Sequence, residues 1–316
     1  MNTRITGALL VSVFALSIPV SAAPPIRVML LDGEQAGAYH AWQETTPYLK
    51  RMLEDAGIFL VDVVTAPPKD GDFSSFKPDW SKYQVVVSNY DAPDERWPDS
   101  LKASFVDYIR NGGGFVSVHA ADNAFAHWKE YNLMIGVGGW RGRNESAGPH
   151  FYFQDGKMVP DTSPHPAGSH GARQPFKVVN RITDHPITHG LPKEWMHVGD
   201  ELYANLRGPG ENMTVLSVAY SDPANRGTGH DEPILMVLSF GKGRIFHTTL
   251  GHDLAALNCV GFITTYQRGT EWAATGKVTQ KVPPDFPTAD KTSTRPAYDP
   301  PVGWTSPGGR PRPQAK

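Results

Sequence analysis

An α/β fold, with a mostly parallel sheet flanked by helices and long loop insertions, is the architecture that this chain of 316 residues predicts. Three observations carry the prediction. Apolar runs of strand length recur through residues 26–121, and segments with helical spacing of apolar residues separate them. Glycine or proline punctuates most of the junctions. Strands that alternate with helices in this way pair in parallel, because each helix returns the chain to the same end of the sheet.

The elements follow in order. IRVMLLDG (26–33) is a buried first strand ending in glycine. TTPYLKRMLEDAG (45–57) has a cap candidate, a proline near its start and a closing glycine, which predicts a helix from Thr45. IFLVDVVTA (58–66) is the second strand, followed by a loop to residue 83, and QVVVSNYD (84–91) is the third. DSLKASFVDYIRNGGG (99–114) is a helix stopped by glycines, and FVSVHAA (115–121) is the fourth strand. Residues 125–207 carry weak helical signals and many Gly, Pro and His residues. A stretch this long without structure is functional or disordered, and its aromatic content argues for order. MTVLSVAY, EPILMVLSF and GRIFHTTLGHD form a later strand series with a hairpin at the intervening GKG. Residues 254–275 read as one closing helix, and the Pro-rich residues 281–316 as a tail on the surface or disordered.

Composition narrows the function. Arg4 precedes an uncharged apolar run at residues 7–20 and small residues at 21–23, the pattern of a signal peptide cleaved after Ala22. The mature chain, about 290 residues, is then periplasmic or secreted, with one domain over 24–280. A single cysteine, Cys259, excludes an intrachain disulfide and any multi-cysteine metal site, and its apolar neighbours predict an inert buried thiol. A net charge of −2 without basic runs argues against nucleic acid or, after cleavage, membrane as partners. GVGGWRG lacks a dinucleotide fingerprint, so no nucleotide cofactor is expected. Aromatic side chains can stack on sugar faces, although most of them will be core, and a second copy of the chain is a candidate partner.

In a parallel sheet, ligands bind beyond the C-terminal strand ends. Asp32, His40, Asn89, Asp91 and His119 lie there. Ser117 lacks the flanking glycines of a serine-hydrolase elbow, whereas a histidine at a strand end is a base or a metal ligand. His252 and Asp253 follow the last strand at the same edge, while His247 alternates with apolar residues and predicts packing. In GDELY, an extended chain puts Glu201 and Tyr203 on one side and Asp200 on the other. His170 is flanked by glycine and is a ligand candidate, whereas His185 and His189 belong to a turn.

GAYHAW, NGGGFVSVHAA, TDHPITHGLP, DELY and GKGRIFHTTLGHD, in this order, resemble the ThuA-like (trehalose utilisation) family over about residues 26–276. The resemblance implies a fold similar to class I glutamine amidotransferases, of the flavodoxin-like type. In those enzymes a cysteine nucleophile follows the fourth strand. Here His119 takes that region, so amidotransferase chemistry is not implied. The resemblance carries His40, His119, Glu201, Tyr203, His252 and Asp253 over by position and implies disaccharides or 3-keto glycosides as the substrate class.

The expectation is therefore a carbohydrate-active lyase or hydrolase. His40, His119 and His252 would hold a divalent metal, zinc first, or act as acid and base without one. His119, Glu201, Tyr203 and Asp253 would be the catalytic set. A sugar-binding module using Trp42, Trp128, Trp140 and Tyr203 is the alternative, as is a conventional glycosidase or isomerase.

Overall fold

The computed structural model describes residues 24–35 and 39–296, and the expected leader lies outside them. In chain order the strands and α-helices are β1 (Ile26–Asp32), α1 (Trp42–Asp55), β2 (Phe59–Thr65), β3 (Val85–Ser88), α2 (Asp99–Arg110) and β4 (Gly114–Val118). Then come α3 (Lys129–Ile135), β5 (His150–Gln154), β6 (Lys157–Asp161), β7 (Ser169–His170), β8 (Gln174–Asn180) and β9 (Glu194–Asp200). The chain closes with β10 (Tyr203–Ala204), β11 (Thr214–Tyr220), β12 (Asp231–Phe240), β13 (Gly243–Thr248), α4 (Leu254–Leu257) and α5 (Val260–Thr275).

The main sheet runs β2-β1-β3-β4-β13-β12-β11-β8-β9. From β2 to β13 every pairing is parallel, as the strand–helix alternation requires. From β13 to β9 every pairing is antiparallel, so the sheet is mixed. The antiparallel wing arises because β12 reaches β13 through a two-residue turn and no helix intervenes; Gly241 supplies the positive φ (59°) that such a turn needs. The expected loop region also holds strands β5 to β10, whose exposed edges dilute the apolar signal.

Successive residues of the central strands serve opposite cores. Met29, Leu31 and Val86 face α2 and α3, with Phe105 and Met134 among their partners. Val28, Leu30, Val85 and Val87 face α1 and α5, against Leu49, Phe262 and Tyr266. A sheet covered on both faces explains why these strands read as continuous apolar runs. Helix α1 begins at Trp42, before the expected Thr45, because the Gln35 side chain accepts the Trp42 N–H and so starts the helix. The expected closing helix is two helices, broken at Asn258–Cys259, where Val260 and Arg295 join the first part of the tail through backbone hydrogen bonds with Ser293 and Asn258. Phe286 of that tail packs on Trp195 of β9, so residues 281–296 lie along the surface.

Gly114 opens β4 where α5 crosses it. A Cβ there would stand 2.6 Å from the Ala273 carbonyl oxygen, a backbone atom with nowhere to go. Gly114→Ala is expected to destabilise the protein by about 1–3 kcal/mol, measured by chemical unfolding; an unchanged midpoint would show that α5 is free to shift.

Candidate active site

The site grows out of two adjacent parallel strands. Val118 of β4 pairs with Thr248 of β13, so the residues that follow, His119 and Thr249, leave the sheet side by side. His119 turns the chain at φ 45°, a left-handed conformation uncommon for a side chain and concentrated at functional turns. Its Nδ1 lies 2.6 Å from the Thr249 carbonyl oxygen. A carbonyl only accepts, so Nδ1 carries the proton and the Nε2 lone pair is left facing the site. That Nε2 is buried without a hydrogen-bond partner.

Three further elements close on it. The β1–α1 loop brings His40, whose Nε2 is 3.2 Å from the Tyr203 hydroxyl and whose Nδ1 is buried and unpartnered. The turn after β13 brings His252. The strand β9, packed by Trp195 against Gly261 of α5, ends at Asp200 and delivers Glu201. Ring centroids of His40, His119 and His252 are 5.0–5.4 Å apart. Glu201 Oε2 is 3.0 Å from His252 Nδ1 and 3.9 Å from His119 Nε2. One ligand atom from each of His40, His119, Glu201 and His252 lies within 4.8 Å of every other.

Asp200, the last residue of β9, is the support beneath this cluster. Its carboxylate accepts the backbone N–H of Gly251 (2.8 Å) and of His252 (3.1 Å), and binds His197 Nε2 at 2.9 Å. Both side chains are fully buried. Burial alone would lower the His197 pKa, but Cys259 and Asp200 outweigh it and push it up to about 10. Burial would raise Asp200, but the His197 hydrogen bond and charge hold it below the ordinary carboxylate range. Cys259 is buried, as expected, and sits against His197, whose charge overcomes burial and lowers the thiol pKa.

Two imidazoles of the site, His40 and His119, are held neutral. Burial first, then the neighbouring His119 and His252, drive His40 down to about 2. Burial likewise lowers His119. Burial raises Glu201, yet His252, His119 and His170 together bring it below its usual value, so it is a carboxylate. Burial, then Asp122 and Glu201, raise Tyr203 well above the ordinary phenol and keep it protonated.

A divalent cation fits this set. Imidazoles with buried unpartnered nitrogens, of which His119 and His40 are held by outer hydrogen bonds to a carbonyl and a hydroxyl, form with one carboxylate a donor set that suits zinc. His170 stands at the mouth because β7 pairs with β10, setting it opposite Tyr203, with Nε2 3.7 Å from Glu201 Oε1. Trp140 lies 4.6 Å from the Tyr203 ring, giving an aromatic wall.

Other expected residues have different work. Asp253 does not join the cluster: Oδ1 caps α4 by accepting from Ala255 and Ala256, and the carboxylate pairs with Arg173. The strand-end position misled because a helix start needs an Asp there too. Asp91 pairs with Arg141 at 2.7 Å, and Asn89 donates to Thr45 and Thr46 of α1. Asp32 is buried against Thr65 and Thr46, with burial raising its pKa. His247 packs, bound by the Ile135 carbonyl and Asp122, and His185 accepts from Ile187 N–H in a turn. Trp128 belongs to the core, so of the aromatics weighed for stacking the cluster is flanked by Trp140 and Tyr203. Asp200, Thr249 and Arg141 act through contacts distant in sequence, which no local pattern announces.

Comparison with known proteins agrees with this architecture. The ThuA family model, described as trehalose utilisation, matches residues 27–273. A ThuA-like protein of Parabacteroides merdae ATCC 43184 is 46% identical, with a TM-score of 0.82 over 86% of this chain and 98% of that one. A second ThuA-like protein, from Bacteroides uniformis ATCC 8492, shares the fold at 20% identity and a TM-score of 0.54 over 83% of this chain and 97% of that one. No curated protein matches the chain. With a family model spanning its whole α/β body and a near-complete match to one solved relative, the chain belongs to the ThuA (trehalose utilisation) family.

Proposed function

We propose that this protein is an exported carbohydrate-active enzyme that cleaves 3-keto glycosides by metal-assisted acid–base chemistry. What supports the reading is the cluster itself: three imidazoles and one ionised carboxylate around buried, unpartnered nitrogens, beside an aromatic wall. His40, His119 and His252 would hold a divalent metal, zinc by donor type. When bound, the ion supplies a Lewis acid to a carbonyl or hydroxyl oxygen of the sugar.

The chain's own residues do the rest. A ketone at C3 acidifies the C2–H bond, and Glu201 takes that proton. The C2–H electron pair forms the C1=C2 double bond as the C1–O bond breaks. His170, at the mouth, gives a proton to the departing oxygen. Addition of water across C1=C2 then completes an overall hydrolysis. Tyr203, kept protonated by its burial, holds His40 in orientation, and Trp140 packs against the sugar face.

A conventional glycosidase needs two opposed carboxylates. Asp91 and Asp253 are tied to Arg141 and to α4, which leaves Glu201 without a partner. The test is aglycone release from a 3-keto glycoside and from its unoxidised parent by the zinc-loaded mature chain. Release from the keto compound alone is expected, abolished by chelation and lowered about 10²–10⁴-fold in Glu201→Gln. Equal release from both compounds would overturn the proposal in favour of a glycosidase or, with a rearranged sugar as product, an isomerase. Binding without turnover would make the protein a sugar-binding module.

A further inference from the structure

A second group of ligand-type side chains lies in the β5–β6 hairpin. His150 opens β5 and is paired in register with Asp161 at the end of β6, while His165 follows in the next loop. One ligand atom from each of the three lies within 4.8 Å of the others. The two imidazole rings are 5.7 Å apart and nearly perpendicular, at 88°.

Each histidine has one nitrogen already assigned. His150 Nε2 lies 2.9 Å from Oε2 of Glu232, a carboxylate 1% exposed. His165 Nδ1 lies 3.0 Å from the Pro166 carbonyl oxygen. Both partners are acceptors, so those nitrogens carry protons and the other nitrogen of each ring has the lone pair. An imidazole that donates outward to a carboxylate or carbonyl while its second nitrogen stays basic is how metal-bound histidines are oriented. Asp161 accepts the Ser163 N–H at Oδ1 and a second hydrogen bond from the Ser163 side chain, the outer contacts that orient a ligating carboxylate.

The backbone beneath is pinned by Arg207, which is fully buried. Its guanidinium donates to the carbonyls of Gly148, Asp161, Ser163 and His165. The three ligand-bearing segments are thus fixed before any ion arrives, which lowers the entropic cost of binding it. The hairpin itself meets the main sheet at one paired position, Phe153 with Asp231. A cross-link here would add what the sheet pairing lacks.

We propose that His150, Asp161 and His165 bind a second divalent metal ion, with zinc favoured by two imidazoles and one carboxylate, as a structural clip. Glu232 acts behind His150. The clip joins β5, β6 and the loop that leads to β7, and β7 carries His170 to the mouth of the first site. This inference stands independently of the metal reading of the first site.

The test uses the full mature chain carrying His119→Ala and His252→Ala, dialysed against micromolar zinc and then analysed by mass spectrometry for metal. About one zinc per chain is expected, falling at least about tenfold on adding His165→Ala or Asp161→Asn. Zinc should raise the thermal midpoint of the parent double variant and leave that of the His165→Ala chain unmoved. A folded double variant that holds no zinc overturns the second site and leaves the first untouched. Zinc retained equally with and without His165 and Asp161 also overturns it. If the double variant fails to fold, the wild-type chain must lose about one equivalent on His165→Ala, and an unchanged content overturns the proposal.

Discussion

His119→Ala is expected to lower divalent-metal affinity by about 100-fold or more while leaving the fold intact. Loss of an outer-shell partner alone weakens metal sites by about 10–100-fold, and His119 would be a direct ligand. Its Nε2 is buried, unpartnered and held in place by the Nδ1 bond to Thr249, so its removal deletes a pre-oriented donor. Strands β4 and β13 are joined by backbone pairing from Phe115–Ile245 to Val118–Thr248, before the ring is reached, so the fold is expected to survive its loss. Metal content by mass spectrometry, with circular dichroism as the folding control, decides the matter. A folded variant with undiminished metal would return His119 to a hydrogen-bonded structural role.

Asp200→Ala is expected to cost about 3–5 kcal/mol of stability, because it strands a buried His197 and removes the acceptor of two backbone N–H groups. The effect also has a direction in pH. Folding raises His197 from 6.5 to about 10, so its contribution is complete below pH 6.5 and is lost as pH rises towards 10. Folding lowers Asp200 from 3.8, so its contribution is complete above that value and is lost as pH falls below it. The pair therefore stabilises most between about pH 4 and pH 6.5. Urea unfolding from pH 7 to 10 should show a shallower decline in Asp200→Ala than in the wild type. Parallel declines would mean that the imidazole is not charged in the native state. Because Asp200 also pins the His252 backbone, the variant should bind metal more weakly even where it remains folded.

The α/β core was legible because its physics is local. Strands covered on both faces must be apolar at every position, and the helices between them must be apolar at helical spacing; β1 to β4 follow that rule. His119, His252 and Glu201 were legible as strand-end residues. Of the antiparallel wing, β11, β12 and the turn into β13 were legible as apolar runs, but β8 and β9 were not, because a half-exposed strand such as β8, with Gln174 and Lys177 facing solvent, carries no continuous apolar run. Asp253 read as a site residue since an N-cap and a catalytic carboxylate look alike in one dimension.

The sequence by itself determined the α/β class, the strand edge where polar residues collect, and which residue types could do chemistry there. Only the tertiary structure decided which of them meet. His40, His119, Glu201 and His252 come from four separate segments, and their convergence depends on β4–β13 register and on β9 reaching α4 and α5. Register and strand order are set by packing summed over the whole sheet. No short stretch of residues contains that information, and so no motif could state it.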